Sequence, residues 1–110
     1  MIGSRVLTFR SASGDSNVAI RIFSPERDKS GAWSCKYEID WPDGKHEMAA
    51  WGTDSVQAIF VAYQMIGSEL YTSDYHKAGQ LFFEAPGQGY GFPVPNNIRD
   101  LLEGDDARYL

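Results

Sequence analysis

The chain has 110 residues, the size of a single domain, and its 43% hydrophobic and 23% charged residues are ordinary for a globular protein rather than a disordered or fibrous one. It has no apolar run of the ~20 residues that span a membrane, no signal-peptide pattern at its start, and a lone cysteine, Cys35, which excludes an internal disulfide framework. These features predict a cytoplasmic protein. The net charge of −5 arises wholly in residues 51–110, which carry three basic and eight acidic residues. Because nucleic-acid affinity depends on neutralising phosphates, we expect no nucleic-acid partner.

Three segments of the first half have the pattern of half-buried strands. Residues 5–10 are short and rich in strand-forming side chains, and residues 17–23 repeat that signature. Residues 33–41 alternate apolar and polar side chains over nine positions, so one face should be buried and the other solvated. The apolar face of the second segment consists of Val18, Ile20 and Ile22.

The third strand should form a hairpin with residues 45–51 through the turn Pro42-Asp43-Gly44. A four-residue loop would bury the face that carries Met48, whereas a three-residue loop with a bulge would bury the face that carries Glu47. We favour the four-residue loop because it buries the apolar side chain, and it leaves Trp51 off the core face. It sets opposite each other the pairs Trp41 and His46, Ile39 and Met48, and Tyr37 and Ala50.

One long helix is predicted from Ser55 to about Tyr71. Asp54 and Gln57 form a capping box at its start. An apolar stripe at helical spacing should pack on the sheet, and a second apolar strip must then be covered by the C-terminal third or by another protein. The stripe consists of Val56, Ile59, Phe60, Tyr63, Ile66 and Leu70, and the second strip of Ala58, Val61, Ala62 and Met65.

The C-terminal third mixes loops with short elements. The sequence predicts a loop over residues 72–79, a last short strand over 80–84, an ordered extended segment over 85–95, two helical turns over 97–103 and a frayed end over 105–110. We therefore expect a single α+β domain over residues 1–110. It should have a four- to five-stranded, mostly antiparallel sheet with one long helix packed on one face, plus the C-terminal extended segment and short helix.

Two short motifs are similar to those of a known family. They are Trp51-Gly52-Thr53-Asp54-Ser55-Val56-Gln57-Ala58 at the helix start and Gly91-Phe92-Pro93-Val94-Pro95 near the C-terminus. With the preceding strands, they resemble a family of small uncharacterised bacterial domains over roughly residues 5–97. The resemblance implies an α+β domain from a bacterium, with no established activity and no catalytic residues to carry over.

No residues are spaced for catalysis or metal binding. His46 and His76 lie in no metal-ligand spacing and are expected to be solvated loop histidines. Cys35 and His46 would lie ~17 Å apart in the hairpin, too far for a nucleophile and its base, so Cys35 should be a buried, inert thiol. The Gly-x-Gly-x-Gly run over 87–91 is followed by prolines instead of a helix, so tight turns explain it better than a phosphate loop. We expect no catalytic residue, no metal and no cofactor.

These observations favour a small non-enzymatic protein-interaction domain that binds a protein partner or itself as a homodimer. The expected contact residues are the second helix strip and the tryptophan left off the core face: Ala58, Val61, Ala62, Met65 and Trp51. One alternative is a small-molecule-binding domain with a pocket under Trp33, Tyr37 and Tyr90. Another is an acidic antidote that neutralises a basic partner.

Overall fold

The computed structural model describes all residues, 1–110, and shows an α+β fold in which one antiparallel sheet carries one long helix. The predicted fold class is confirmed. The strands are β1 (Gly3–Ser11), β2 (Gly14–Ile22), β3 (Glu26–Arg27), β4 (Trp33–Trp41), β5 (Gly44–Gly52) and β6 (Leu81–Phe82). The helices are α1 (Ser55–Thr72), α2 (Asp74–Lys77), the 3-10 helix Asn96–Leu101 and α3 (Gly104–Tyr109).

The sheet is ordered so that β5 and β6 lie at its two ends. β4 pairs with β5 on one side and with β2 and the short β3 on the other, β1 follows β2, and β6 pairs with part of β1. Helix α1 covers β4 and β5 on one face, which we call the core face. The predicted apolar face of β2 is confirmed, since Val18, Ile20 and Ile22 are all buried there.

The β4–β5 hairpin turns more tightly than predicted. Its loop has two residues, Pro42 and Asp43, and closes on the pair Trp41 and Gly44, where Gly44 has a φ of 148°. The predicted register is therefore wrong by two residues, and it sets Ile39 opposite His46 and Tyr37 opposite Met48. Because side chains alternate with a period of two, a shift of two keeps each side chain on its predicted face.

Helix α1 begins as predicted. Asp54 is the N-cap and accepts a hydrogen bond from the Gln57 N–H at 2.7 Å, while the Gln57 side chain accepts one from the Thr53 N–H at 2.6 Å. The helix therefore starts through a capping box whose returning bond reaches the residue before the N-cap.

The first half of α1 is rotated relative to the prediction. Ala58 and Ala62 are fully buried against the sheet, whereas Val56 and Phe60 are 73% and 49% exposed. The cause is the short connection from β5: a Cβ on Gly52 would lie 2.6 Å from the backbone nitrogen of Ala58. At this separation only small side chains fit between helix and sheet. In the second half of the helix, Ile66 and Leu70 are buried as predicted.

The C-terminal third folds back over α1. Residues 91–95, which we call the strap, cross the helix at Gly67, where a Cβ would lie 1.9 Å from the carbonyl oxygen of Pro93. The loop predicted over 72–79 contains the short helix α2, which begins with Ser73 as its N-cap. The end predicted to be frayed forms α3 and buries Asp106. Its order comes from the hydrogen bonds of that carboxylate, described below.

Candidate functional site: the free edge of the sheet

β5 forms one edge of the sheet, and one side of its backbone is free. Its ladder runs to β4 alone, and the turn closes on Trp41 and Gly44. In this register the even-numbered residues of β5 direct their N–H and C=O groups toward β4, and the odd-numbered residues direct theirs outward. None of the outward groups has a hydrogen-bond partner in the chain. The outward residues are Lys45, Glu47, Ala49 and Trp51.

The opposite edge of the sheet is better protected. β1 pairs with β6 at Thr8 and Phe9, and the Arg10 N–H donates to the Gln80 carbonyl at 2.7 Å. β5, in contrast, is nine residues long and contains no proline. A long edge strand of this kind is a template for pairing with another strand.

The side chains along the free edge are mixed in character. Lys45, Glu47, Ala49 and Trp51 lie on the face of the sheet away from α1, which we call the outer face, and Trp51 is 55% exposed. Met48 lies on the core face and is 41% exposed, because α1 covers β5 incompletely there. The edge therefore presents exposed apolar surface beside its unpaired backbone.

A cleft of about 460 Å³ lies between the core face of β5 and helix α1. Its apolar walls include Met48, Val61 and Met65. Its polar floor is Glu69, which accepts a hydrogen bond from the Tyr37 hydroxyl and lies 3.0 Å from His46 Nε2. Burial, reinforced by the Glu69 carboxylate, raises the pKa of Tyr37 well above its usual range. This phenol therefore stays protonated and holds the carboxylate in place.

The structure separates the predicted contact residues into two groups. Ala58 and Ala62 are fully buried in the core and present no surface. Val61 and Met65 are partly buried in the cleft on the core face, whereas Trp51 is exposed on the outer face of β5. The unpaired backbone of β5 was not predicted, because a sequence does not show which strand ends a sheet.

The outer face carries a network of ion pairs next to the free edge. Arg21 Nε donates to Glu38 at 2.8 Å and Arg21 Nη2 donates to Asp40 at 2.6 Å, while Lys45 Nζ lies 3.7 Å from Glu38. Arg21 is the largest cause of the lowered pKa of both Glu38 and Asp40. Glu47 lies directly opposite Glu38 on β5, on the side of β4 away from Arg21.

We expect Arg21→Met to lower the melting temperature at neutral pH and to lose less stability on acidification than the unmodified chain. Carboxylates whose pKa is depressed by folding contribute stability above their unfolded pKa of about 4, and lose it as the pH falls through the folded value. The difference in melting temperature between Arg21→Met and the unmodified chain should therefore narrow from about pH 7 to about pH 3. Thermal unfolding followed by circular dichroism measures it.

Lys36→Met is the matched control, because Lys36 lies on the outer face of the sheet, as Arg21 does, and makes no ion pair. The melting temperature of Lys36→Met should differ little from that of the unmodified chain, and the difference should be nearly constant with pH. A gap for Arg21→Met that stays constant or widens in acid would contradict the assigned role of Arg21.

A second, largely buried polar cluster holds the C-terminus. Asp106, 3% exposed, accepts hydrogen bonds from the Tyr71 hydroxyl at 2.5 Å, the Tyr90 N–H at 2.7 Å and the Gly91 N–H at 2.9 Å. His76 is not the solvated loop histidine predicted: it lies in α2, packs between Tyr71 and Tyr90, and its Nδ1 is 2.5 Å from the Tyr90 hydroxyl. His46 also differs from the prediction, since it lies in a strand beside Glu69.

The remaining predictions concern Cys35, a small-molecule pocket and metal binding. Cys35 is fully buried, and burial raises its pKa, so the prediction of a buried thiol is confirmed. The pocket predicted under Trp33, Tyr37 and Tyr90 is absent, because no cavity is lined by Trp33 or Tyr90. Tyr90 is buried and engaged with Asp106 and Leu81. No group of three or more His, Cys, Asp or Glu side chains is placed to hold a metal ion.

These features define a class of protein: a one-sheet α+β domain with a single long free edge strand beside an apolar cleft. The chain belongs to the family described as a domain of unknown function (DUF6968), whose model matches residues 3–94. No curated protein and no solved structure matches the chain. The predicted resemblance to an uncharacterised family is confirmed. Helix α3, which carries Asp106, lies beyond the matched residues. No helix has both the length and the hydropathy needed to cross a bilayer.

Proposed function

We propose that the protein is a non-enzymatic interaction domain that forms a homodimer by antiparallel pairing of β5 with β5 of a second copy. The observation that carries the proposal is the free side of β5, with four residues whose backbone groups have no partner in the chain. Pairing two such edges satisfies these groups on both copies and joins the two sheets into one. A twofold axis makes the contact closed, so it does not extend into a fibre.

The charges along the edge fit this arrangement. In the register that sets Ala49 opposite Glu47 of the second copy, no two like charges face each other, and Lys45 lies opposite Trp51 of the second copy. A lysine over a tryptophan ring is a favourable cation–π pair, and it would occur twice. Like charges directly across a strand pair are destabilising, so the register with Glu47 opposite Glu47 is disfavoured.

The core face fits the same arrangement. The twofold axis of that register passes at Met48, so the two Met48 side chains meet beneath the two helices. Val61 and Met65 line the same cleft on each copy. The half-exposed apolar surface at the cleft is then covered on both copies, which adds hydrophobic stabilisation to the strand pairing.

The solution mass, measured by light scattering over about a hundredfold range of concentration, tests the proposal. We expect a dimer that dissociates on dilution. Ala49→Pro should weaken association by about a hundredfold or more, because proline removes an outward N–H from each copy, so that the dimer loses two hydrogen bonds, and puts a ring into each edge. Val61→Glu should also weaken the dimer by placing a charge at the contact.

The matched control is Phe60→Ser, which removes an exposed aromatic side chain from a part of α1 outside the cleft. It should leave the dimer intact. A mass that stays monomeric at every concentration would contradict the proposal, and a dimer lost in Phe60→Ser but kept in Ala49→Pro would move the contact to the helix.

A further inference from the structure

Arg5 is a cation without a partner in an acidic protein. It lies on the core face of β1, partly buried, and no carboxylate lies within ion-pair distance of it. Its guanidinium carbon lies 4.6 Å from the ring centroid of Phe83 and 5.4 Å from that of Phe92. Only one of its hydrogen bonds is made within the chain, from Nη1 to the Tyr90 carbonyl at 3.0 Å.

Two aromatic rings and one hydrogen bond hold the guanidinium group of Arg5. The Nη1 atom leaves no room for a side chain on Gly91, which has a φ of 79°. The Nε and Nη2 atoms of Arg5 make no hydrogen bond within the chain, so donors of the group remain unused. A planar guanidinium held in this way is preorganised to bind a carboxylate with two parallel hydrogen bonds.

A cavity of about 230 Å³ lies beside Arg5, at the end of the sheet where β1 begins. Its other side chains include Ile22, Phe92 and Tyr63, and the Tyr63 hydroxyl makes no hydrogen bond within the chain. No acidic residue lines it. Arg5 also borders a second cavity, which Glu84, Asp105 and Asp106 line, but none of these carboxylates is within ion-pair distance of it, and Asp106 is engaged by three donors.

We propose that this cavity binds a small organic monocarboxylate, with Arg5 as its anion anchor and the aromatic walls around its apolar part. The cavity is smaller than the ~300–1,000 Å³ of sites for drug-sized ligands, which limits the ligand to a few carbon atoms or a single ring. The net charge of −5 favours a monoanion over a phosphate dianion. The site is separate from β5, so it does not depend on the proposed dimer.

Amide chemical shifts of the full chain, titrated with benzoate at constant ionic strength, test the proposal. We expect saturable shifts at millimolar benzoate, centred on Gly3, Ser4 and Gly91. Benzamide, which has the same shape without the charge, should give none. Arg5→Met should weaken benzoate binding by about tenfold or more, because a charge-assisted hydrogen bond is lost, and Arg5→Lys should lie between.

Tyr63→Leu provides a second variant, since Tyr63 is 37% exposed on the helix surface and its replacement leaves the core intact. It should weaken benzoate binding even if Arg5→Met fails to fold. Equal shifts with benzamide, an absence of saturable shifts with benzoate, or binding of phosphate alone would each overturn the assignment.

Discussion

Asp106→Ala is expected to be the most destabilising single substitution in the chain outside the central core. The carboxylate of Asp106 accepts three hydrogen bonds, and its removal leaves the Tyr71 hydroxyl and the Tyr90 N–H buried without an acceptor, while the more exposed Gly91 N–H loses its partner. Each unsatisfied buried donor costs ~1–3 kcal/mol, so the free energy of unfolding should fall by about 3 kcal/mol or more. Urea unfolding followed by tryptophan fluorescence measures the change.

The adjacent residue supplies the control. Asp105 is exposed, and its side chain makes no hydrogen bond, so Asp105→Ala should change the free energy of unfolding by no more than about 0.5 kcal/mol. Equal stability of the Asp105→Ala and Asp106→Ala proteins would show that α3 is not held by the buried carboxylate.

Gly67→Ala should have the second largest effect on stability. It should lower the free energy of unfolding, although helix propensity alone would raise it. In a free helix the change would stabilise by ~1 kcal/mol. Here the new Cβ would overlap the Pro93 carbonyl, 1.9 Å away, and come within 3.2 Å of Val94. Because backbone must move to relieve this overlap, we expect a net loss of about 2 kcal/mol or more. The unfolding midpoint in urea should fall at an unchanged slope.

Gly3→Ala is the matched control, since a Cβ there meets no atom within 4 Å. This protein should unfold close to the midpoint of the unmodified chain. If Gly67→Ala were instead stabilised, the strap could not lie against the helix as described.

The local signals in the sequence predicted most elements correctly. The strict alternation over β4 and the capping box at Asp54 are local patterns, and both elements start within a residue or two of their predicted positions. The hairpin register failed because Pro42-Asp43-Gly44 permits turns of several lengths. The predicted faces survived, since the error was an even number of residues.

The helix face could not be read from periodicity alone. α1 is apolar on two strips, and the larger side chains, Val56 and Phe60, make the stronger hydrophobic signal. What decides the orientation is the short connection at Gly52, which brings the helix close enough to β5 that alanine is required. The separation between helix and sheet is set by the tertiary structure, so local sequence patterns do not reveal it.

From the sequence, tight turns explain the glycine run over 87–91 better than a phosphate loop does, and in the structure the run binds a carboxylate of the same chain. Its three glycines have φ values between 79° and 87°, and its backbone N–H groups do bind an anion. The anion is the carboxylate of Asp106 from the same chain, not a phosphate. Sequence reasoning missed it because Asp106 lies 15 residues away from Gly91 in a segment with no strong helical pattern.

Amide hydrogen exchange along β5 distinguishes a paired edge strand from a free one. In the proposed dimer the amides of Lys45, Glu47, Ala49 and Trp51 become protected as protein concentration rises, while those of His46, Met48 and Ala50 are protected at every concentration by pairing with β4. The dimer therefore requires this alternation, with a concentration dependence confined to the odd-numbered residues. If those four amides exchange at unprotected rates at the highest concentration reached, β5 is free in solution and the proposed dimer is wrong.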